Sequence, residues 1–211
     1  MANQDLTDDI LGLIVHSYNN YLSGAMGFNE LIKLDCDDQS VIDKLDLSLA
    51  SSKEAVDFGS QLLASISRLQ VHFNDIEVRE IIERVVNTVV LEKRVDPQID
   101  MHLVHTDPEW FIRSISMIVD FIRQLSPTSS IVLRANINSE ETEVNLRIGV
   151  TDLSFTAQQQ KRLFEPFYSS RHLLGTKDVG IAVSSGFIKQ MNGELSWQEG
   201  QGFLIRLPVF E

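Results

Sequence analysis

The stretch LIVHSYNNYLSGAMGFNELI, residues 13–32, decides how the first third of the chain is read. Its apolar positions and those just upstream, Ile10, Leu11, Ile14, Val15, Tyr18, Leu22, Ala25 and Met26, recur at helical spacing. They predict a helix over residues 5–34, with Thr7, Asp8 and Asp9 suited to its start by capping and by the helix dipole. His16, Asn20, Ser23, Gly27 and Glu30 follow one another by +4, +3, +4 and +3, which puts them on a polar stripe away from the apolar positions. A histidine on such a stripe is either an inert surface residue or a group held out to a partner.

After the short acidic run LDCDDQS, residues 39–69 predict a second helix of nearly equal length. Ile42, Leu45, Leu49, Ser52, Val56, Gly59, Leu63 and Ile66 alternate by three and four, a heptad seam. Two matched helices with a short loop form an antiparallel hairpin. A bare hairpin cannot cover both of its seams, whereas two hairpins from two chains can, as a four-helix bundle. The expectation is a homodimer through helices 1 and 2, with residues 1–72 as the hairpin domain.

Residues 73–211 have a different texture. VREIIERVVNTVV reads as a helix and IDMHLVHTD as a strand. In DPEWFIRSISMIVDFIRQLSP, Asp107 is a cap, Pro108 suits the first helical position and Glu109 the first turn. IVLRANI and EVNLRIGV alternate as two strands joined through NSEET. Thr156 and Gln159 form a capping box for TAQQQKRLF. VGIAVSSGFIKQMNG reads as a helix stopped by Asn192–Gly193, and ELSWQ with GFLIRLPV as a closing hairpin. This second domain is an α/β sandwich of helices over a mixed sheet.

Composition narrows the partners. The 211 residues are 43% hydrophobic and 23% charged, ordinary for a globular protein. A net charge of −12 argues against nucleic acid, which needs a Lys/Arg face. Cys36 is the only cysteine, so there is neither a disulfide framework nor a thiolate metal site, and no metal is expected. The chain has no apolar run of 18 residues and no signal-peptide layout, so a cytoplasmic protein without a membrane span is expected.

Taken together, IVHSYNNYLSGAMGFNELI, GSQLLASISR, RLFEPFYSS and GIAVSSGFIKQMNGELSWQEGQGFLIRLPV resemble the core of a bacterial sensor histidine kinase. The first resembles that family's phosphoacceptor helix, the third its F-box, and the last its final helix and hairpin. The resemblance runs from about residue 5 to the end. It implies a dimerisation and phosphotransfer hairpin followed by a Bergerat-type ATP-binding domain, with His16 as phosphoacceptor. Family members follow the histidine with an acidic residue, where this chain has Ser17, a weaker partner for the ring. Asn20 matches a position where the family carries Asn or Thr, and either holds a hydrolytic water or is a solvated helix residue.

The nucleotide boxes depart from that family. Where magnesium-holding asparagines belong, the chain has Met117 and Phe121, which carry no oxygen ligand for a hard cation. The D-x-G-x-G places hold Val150, Asp152 and Ser154, and Lys177 and Asp178 disrupt the last glycine box, leaving Gly180. The implied ATPase domain is therefore degenerate, and no cofactor is expected. Gly24 and Gly27 suit either a docked receiver helix or, the preferred reading, packing within the bundle. His72, His102, His105 and His172 show no ligand spacing and read as structural, and Trp110 and Trp197 as core. FEPFYSSRHLLGTK, the family's lid region, reads as an ordered surface loop or a remodelled docking surface.

The function implied is a histidine phosphotransferase of a phosphorelay, moving phosphoryl groups between receiver-domain aspartates of response regulators through His16 without ATP. Rival readings are a non-catalytic pseudokinase that sequesters a response regulator or a kinase, and a weak kinase with a rearranged pocket.

Overall fold

The structure is a computed structural model, and it describes residues 2–89, 92–96, 99 and 102–209, with the side chains of residues 2–8 outside that set. Helix α1 spans Ala2–Leu34 and α2 spans Gln39–Ser65, antiparallel across a loop capped by Asp38, whose carboxylate accepts from the Ser40 amide at 2.8 Å. α1 begins at Ala2 rather than residue 5, so Thr7, Asp8 and Asp9 lie within it instead of at its start, and the capping expected of Thr7 and Asp8 lies outside the described side chains. α2 ends at Ser65 rather than 69, and Ile66 becomes its C-cap.

The expected apolar face of α1 divides in two. Leu11, Val15, Leu22 and Met26 turn towards α2, where Leu49 and Leu63 are buried. Ile10, Ile14, Tyr18 and Ala25 turn outward and are exposed. The side chain of Asn19 enters the seam opposite Gly59, where a Cβ would stand 2.6 Å from Asn19 Oδ1. Gly59 is thus small because an amide occupies its space.

The second half follows as β1 (Asn74–Glu77), α3 (Val78–Val89), β2 (Glu92–Val95), β3 (Leu103–Thr106) and α4 (Pro108–Leu125). Then come β4 (Val132–Ile137), β5 (Glu143–Gly149), α5 (Ala157–Arg162), α6 (Ala182–Gln190), β6 (Glu194–Gln198) and β7 (Gly202–Pro208). Val90 of the expected helix, and Asp100 and Met101 of the expected strand, lie outside the described residues. The main sheet runs β2-β4-β5-β7-β6, with β2 parallel to β4 and the other pairs antiparallel. β1 and β3 form a separate antiparallel pair.

Alternation along β4 and β5 sends Leu133, Ala135, Leu146 and Ile148 into one core with Ile81, Ile82, Ile115, Ile118 and Phe187 of α3, α4 and α6. The start of α4 is as its sequence specifies, with Asp107 Oδ1 accepting from the amides of Glu109 and Trp110 at 3.1 Å. The Thr156–Gln159 capping box also forms, and Asn192 takes the left-handed conformation (φ 59°) that stops α6. The fold is a helical hairpin followed by a mixed-sheet α/β domain.

The two halves touch closely. Gly186 of α6 lies so near the end of α2 that a Cβ would stand 2.1 Å from the Ala64 carbonyl oxygen. Ser67 Oγ donates to the Gly186 carbonyl and Gln190 Nε2 to the Leu69 carbonyl, both at 2.7 Å. Arg113 of α4 reaches Asp57 of α2 at 2.6 Å, and this guanidinium holds the Asp57 carboxyl below its ordinary pKa against the opposing effect of burial.

Candidate functional site

His16 lies midway along α1 and is exposed, as are Asn20, Ser23 and Glu30 of its stripe and the adjacent Ser17. The side-chain nitrogen of Asn20 is 3.3 Å from His16 Nδ1, one helical turn away. This pairing revises the expectation that residue 17 is the ring's partner. Ser17 is adjacent in sequence but points about 100° around the helix, whereas i and i+4 share a face. Amide nitrogen and oxygen exchange places by a flip, and the flip fixes the tautomer. With the amide nitrogen at Nδ1, the ring accepts there and carries its proton on Nε2. With the oxygen at Nδ1, the ring donates there and Nε2 presents a free lone pair to solvent.

The imidazole edges an open cleft of about 430 Å³, lined by Asp9, Gly12, Leu13, Leu63, Arg68 and Gln70. Its size is that of a small-ligand pocket, roughly 300–1,000 Å³. Arg68 follows α2 and closes one side through a 2.5 Å ion pair with Asp9 of α1. The sequence marks Asp9 only as part of a helix start and gives no sign of Arg68, since 59 residues separate the two and only the hairpin brings them together. Gly24 and Gly27 contact nothing within 4 Å of where a Cβ would be, so neither serves packing inside the hairpin of this chain.

Of the other candidate positions, Met117, Phe121 and Gly180 gather at α4. Met117 and Phe121 line a cleft of about 120 Å³ with Asp120, Gln124, Leu174, Asp178, Gly180 and Ile181. Phe121 is only 3% exposed, and its ring stacks on Phe155 at 6.2 Å and meets Phe203 edge-on at 6.1 Å. Trp197 closes the same cluster, 4.8 Å from Phe155. Val150 is buried, while Asp152, Ser154 and Lys177 are exposed. Asp152 accepts from Thr151 Oγ1 at 2.9 Å and from Ser129 Oγ at 3.5 Å, and does not line the α4 cleft. Aromatic rings thus occupy the space beside α4, the remaining cleft is smaller than a drug-sized pocket, and Met117 and Phe121 give no oxygen to a cation. Met117 and Phe121 therefore do not fit the magnesium-holding role of the asparagines they replace, and the side-chain oxygens at this cleft are those of Asp120, Gln124 and Asp178.

The FEPFYSSRHLLGTK segment is tied down through its serines. Ser169 and Ser170 are fully buried, Ser169 Oγ accepts from the Ile181 amide at 3.0 Å, and Ser170 Oγ donates to the Asp178 carbonyl at 2.6 Å. Residues Ser170–Leu174 form a π-helical turn, a local irregularity that the apolar spacing does not encode. Gly180, at φ 80°, passes so close to Ser169 Oγ that a Cβ does not fit.

The remaining single residues fall as follows. His102 is buried, and its Nδ1 lacks a hydrogen-bond partner among the described residues. His105 sits opposite Asp75 in the β1–β3 pair and meets it at 2.7 Å, and His172 packs on the Tyr168 ring. His72 is exposed. Trp110 and Trp197 are half-buried against the core rather than within it. Among the described residues no group of three or more His, Cys, Asp or Glu is placed to hold a metal ion, and no helix is long and apolar enough to cross a membrane.

No family model and no curated protein sequence matches the chain. Solved structures do. Full-length ShkA in complex with AMPPNP is similar over 95% of this chain at 14% identity and a TM-score of 0.65, and the chain spans 46% of ShkA. The Acinetobacter baumannii histidine kinase AdeS is similar over 90% of this chain and 96% of its own, at 14% identity and a TM-score of 0.54. The catalytic domain of histidine kinase ThkA, in a nucleotide-free form, matches over 65% of this chain and 96% of its own, at 14% identity and a TM-score of 0.50. The chain has the fold of a histidine kinase core, a helical hairpin followed by an ATPase-like α/β domain.

Proposed function

We propose that the protein is a histidine phosphotransferase of a two-component phosphorelay, acting as a homodimer on the receiver domains of response regulators. The observation that carries this reading is His16, exposed on its helix face with Asn20 at Nδ1, beside an open cleft. With the Asn20 oxygen accepting from Nδ1–H, the Nε2 lone pair attacks the phosphorus of a receiver's aspartyl phosphate. The N–P bond forms as the P–O bond to the aspartate breaks, and the carboxylate leaves with the electron pair. The Nδ1 proton stays on the ring, held by Asn20. A second receiver's aspartate then attacks the same phosphorus and releases the imidazole. Neither step uses a nucleotide, because the receiver supplies its own Mg²⁺ and acidic pocket.

The test begins with a phosphorylated receiver encoded near this gene. Wild type takes up acid-labile label, and His16→Ala takes up none while keeping its fold, since the side chain is exposed. A wild type that binds the receiver but takes no label overturns the phosphotransferase in favour of a sequestering pseudokinase.

A further inference from the structure

Arginines of this chain generally lie beside carboxylates: Arg68 with Asp9, Arg84 with Glu80, Arg113 with Asp57, Arg162 with Glu165 and Arg206 with Glu194. Arg134 and Arg147 depart from this, as does Arg171, whose guanidinium lies over the Phe167 ring. Among the described residues neither Arg134 nor Arg147 pairs with a carboxylate, although the chain carries a net charge of −12. The β4–β5 register sets them directly opposite each other, on the face of the sheet turned away from α3, α4 and α6. Like charges opposed across a ladder destabilise it. Arg147 Nη1 donates to the neutral Gln198 Oε1 at 2.6 Å, and Arg94 continues the row on β2 but pairs with Glu92 at 3.5 Å. Burial, and then the charge of Arg134, lower the Arg147 pKa. Beside the pair is a depression of about 220 Å³, lined in part by Ser130, Gly149, Thr151 and Gln201.

We propose that Arg134 and Arg147 form a binding site for a small phosphorylated anion, on the side of the sheet opposite the α4 cleft. Two adjacent guanidiniums present paired N–H groups to phosphoryl oxygens, and a dianion between them converts their repulsion into attraction. The Ser130 hydroxyl and the backbone beside Gly149 add neutral polar groups at the edge. The nearby Asp152 carboxylate is engaged by Thr151 and Ser129. This site is independent of His16.

Titration calorimetry of the full chain with inorganic pyrophosphate, alongside ADP, tests the proposal. The expected result is saturable pyrophosphate binding that weakens with added salt and falls at least about ten-fold in Arg134→Gln and in Arg147→Gln. ADP binding with the same loss in both variants assigns a nucleotide diphosphate as the source of the group, and pyrophosphate binding alone assigns the inorganic ion. Removing one charge also relieves the repulsion, so Arg134→Gln is expected to melt at a higher temperature than wild type without ligand, which shows at once that it folds. Absent binding of both probes, or binding unchanged in both variants, overturns the proposal. So does a polyglutamate peptide that binds through Arg134 where pyrophosphate does not, since that assigns the face to an acidic protein.

Discussion

In the proposed phosphotransfer, the Asn20 amide takes the place of the acidic neighbour that the resemblance to histidine kinases implies. A carboxylate accepts a ring N–H with a full charge, whereas an amide oxygen accepts it with a partial one, so the imidazole of His16 is less strongly polarised. Removing the bond at about 1 kcal/mol predicts roughly five-fold slower phosphoryl uptake in Asn20→Ala. Asn20→Asp supplies the missing charge and is expected to be faster than wild type in stopped-flow transfer. Ser17→Asp, whose side chain leaves the helix about 100° away from His16, is expected to change the rate less. Equal rates in all three variants would remove Asn20 from the chemistry. The register of His16 and Asn20 was legible in the sequence because i and i+4 share a face. Their contact was not, because the choice between Ser17 and Asn20 depends on side-chain direction, which spacing alone does not give.

Among the elements, α1 carries the clearest unspent surface. Tyr21 is 79% exposed, Leu13 71% and Phe28 70%, and Ile10, Ile14, Tyr18, Leu31 and Ile32 are each at least half exposed. A continuous apolar stripe of this kind marks an interface. The sequence pattern pointed to the second-helix seam, Leu45 among it, as the part buried against both helix 1 and a partner chain. Within one chain Leu49, Gly59 and Leu63 of that seam are buried and Ile42, Leu45 and Val56 half-buried, while most of the exposed large apolar side chains lie on α1. Ile14→Glu is therefore expected to give a folded monomer by light scattering. Leu49→Glu, at a position only 6% exposed within one chain, is expected to lose helix content as well. A dimer unchanged in Ile14→Glu would place the interface elsewhere. In α4 the aromatic packing around Phe121 leads to a separate expectation, no binding of ATP·Mg²⁺ below the millimolar range. A micromolar dissociation constant by calorimetry that persists in Arg134→Gln and Arg147→Gln would contradict it. The helices, caps and long strands were legible because periodicity and capping are local. β1 and β2, four residues each, were not, because Asn74–Glu77 and Glu92–Val95 owe their strand form to partners at β3 and β4.

Across the whole molecule, the contact at Gly186 has a thermal consequence. Backbone of α6 lies directly on the last turn of α2, flanked by the hydrogen bonds of Ser67 and Gln190 and by the Asp57–Arg113 pair. That ion pair is partly exposed and contributes on the order of 0.2–1 kcal/mol. Because the folded pKa of Asp57 is depressed, its share is present at neutral pH and is lost as pH falls through that lowered value. The backbone contact has no such dependence and needs only the absence of a side chain. Two halves joined this way cannot melt separately without exposing Ala64, which is fully buried, and the polar groups around it. Scanning calorimetry is expected to record one transition for the wild type at neutral pH. Gly186→Val forces the α6 backbone off the Ala64 carbonyl and is expected to resolve that single peak into two, hairpin and sheet each melting at its own temperature. One glycine, far along the chain from the hairpin it touches, thus sets whether heat meets this protein as one cooperative unit or as two.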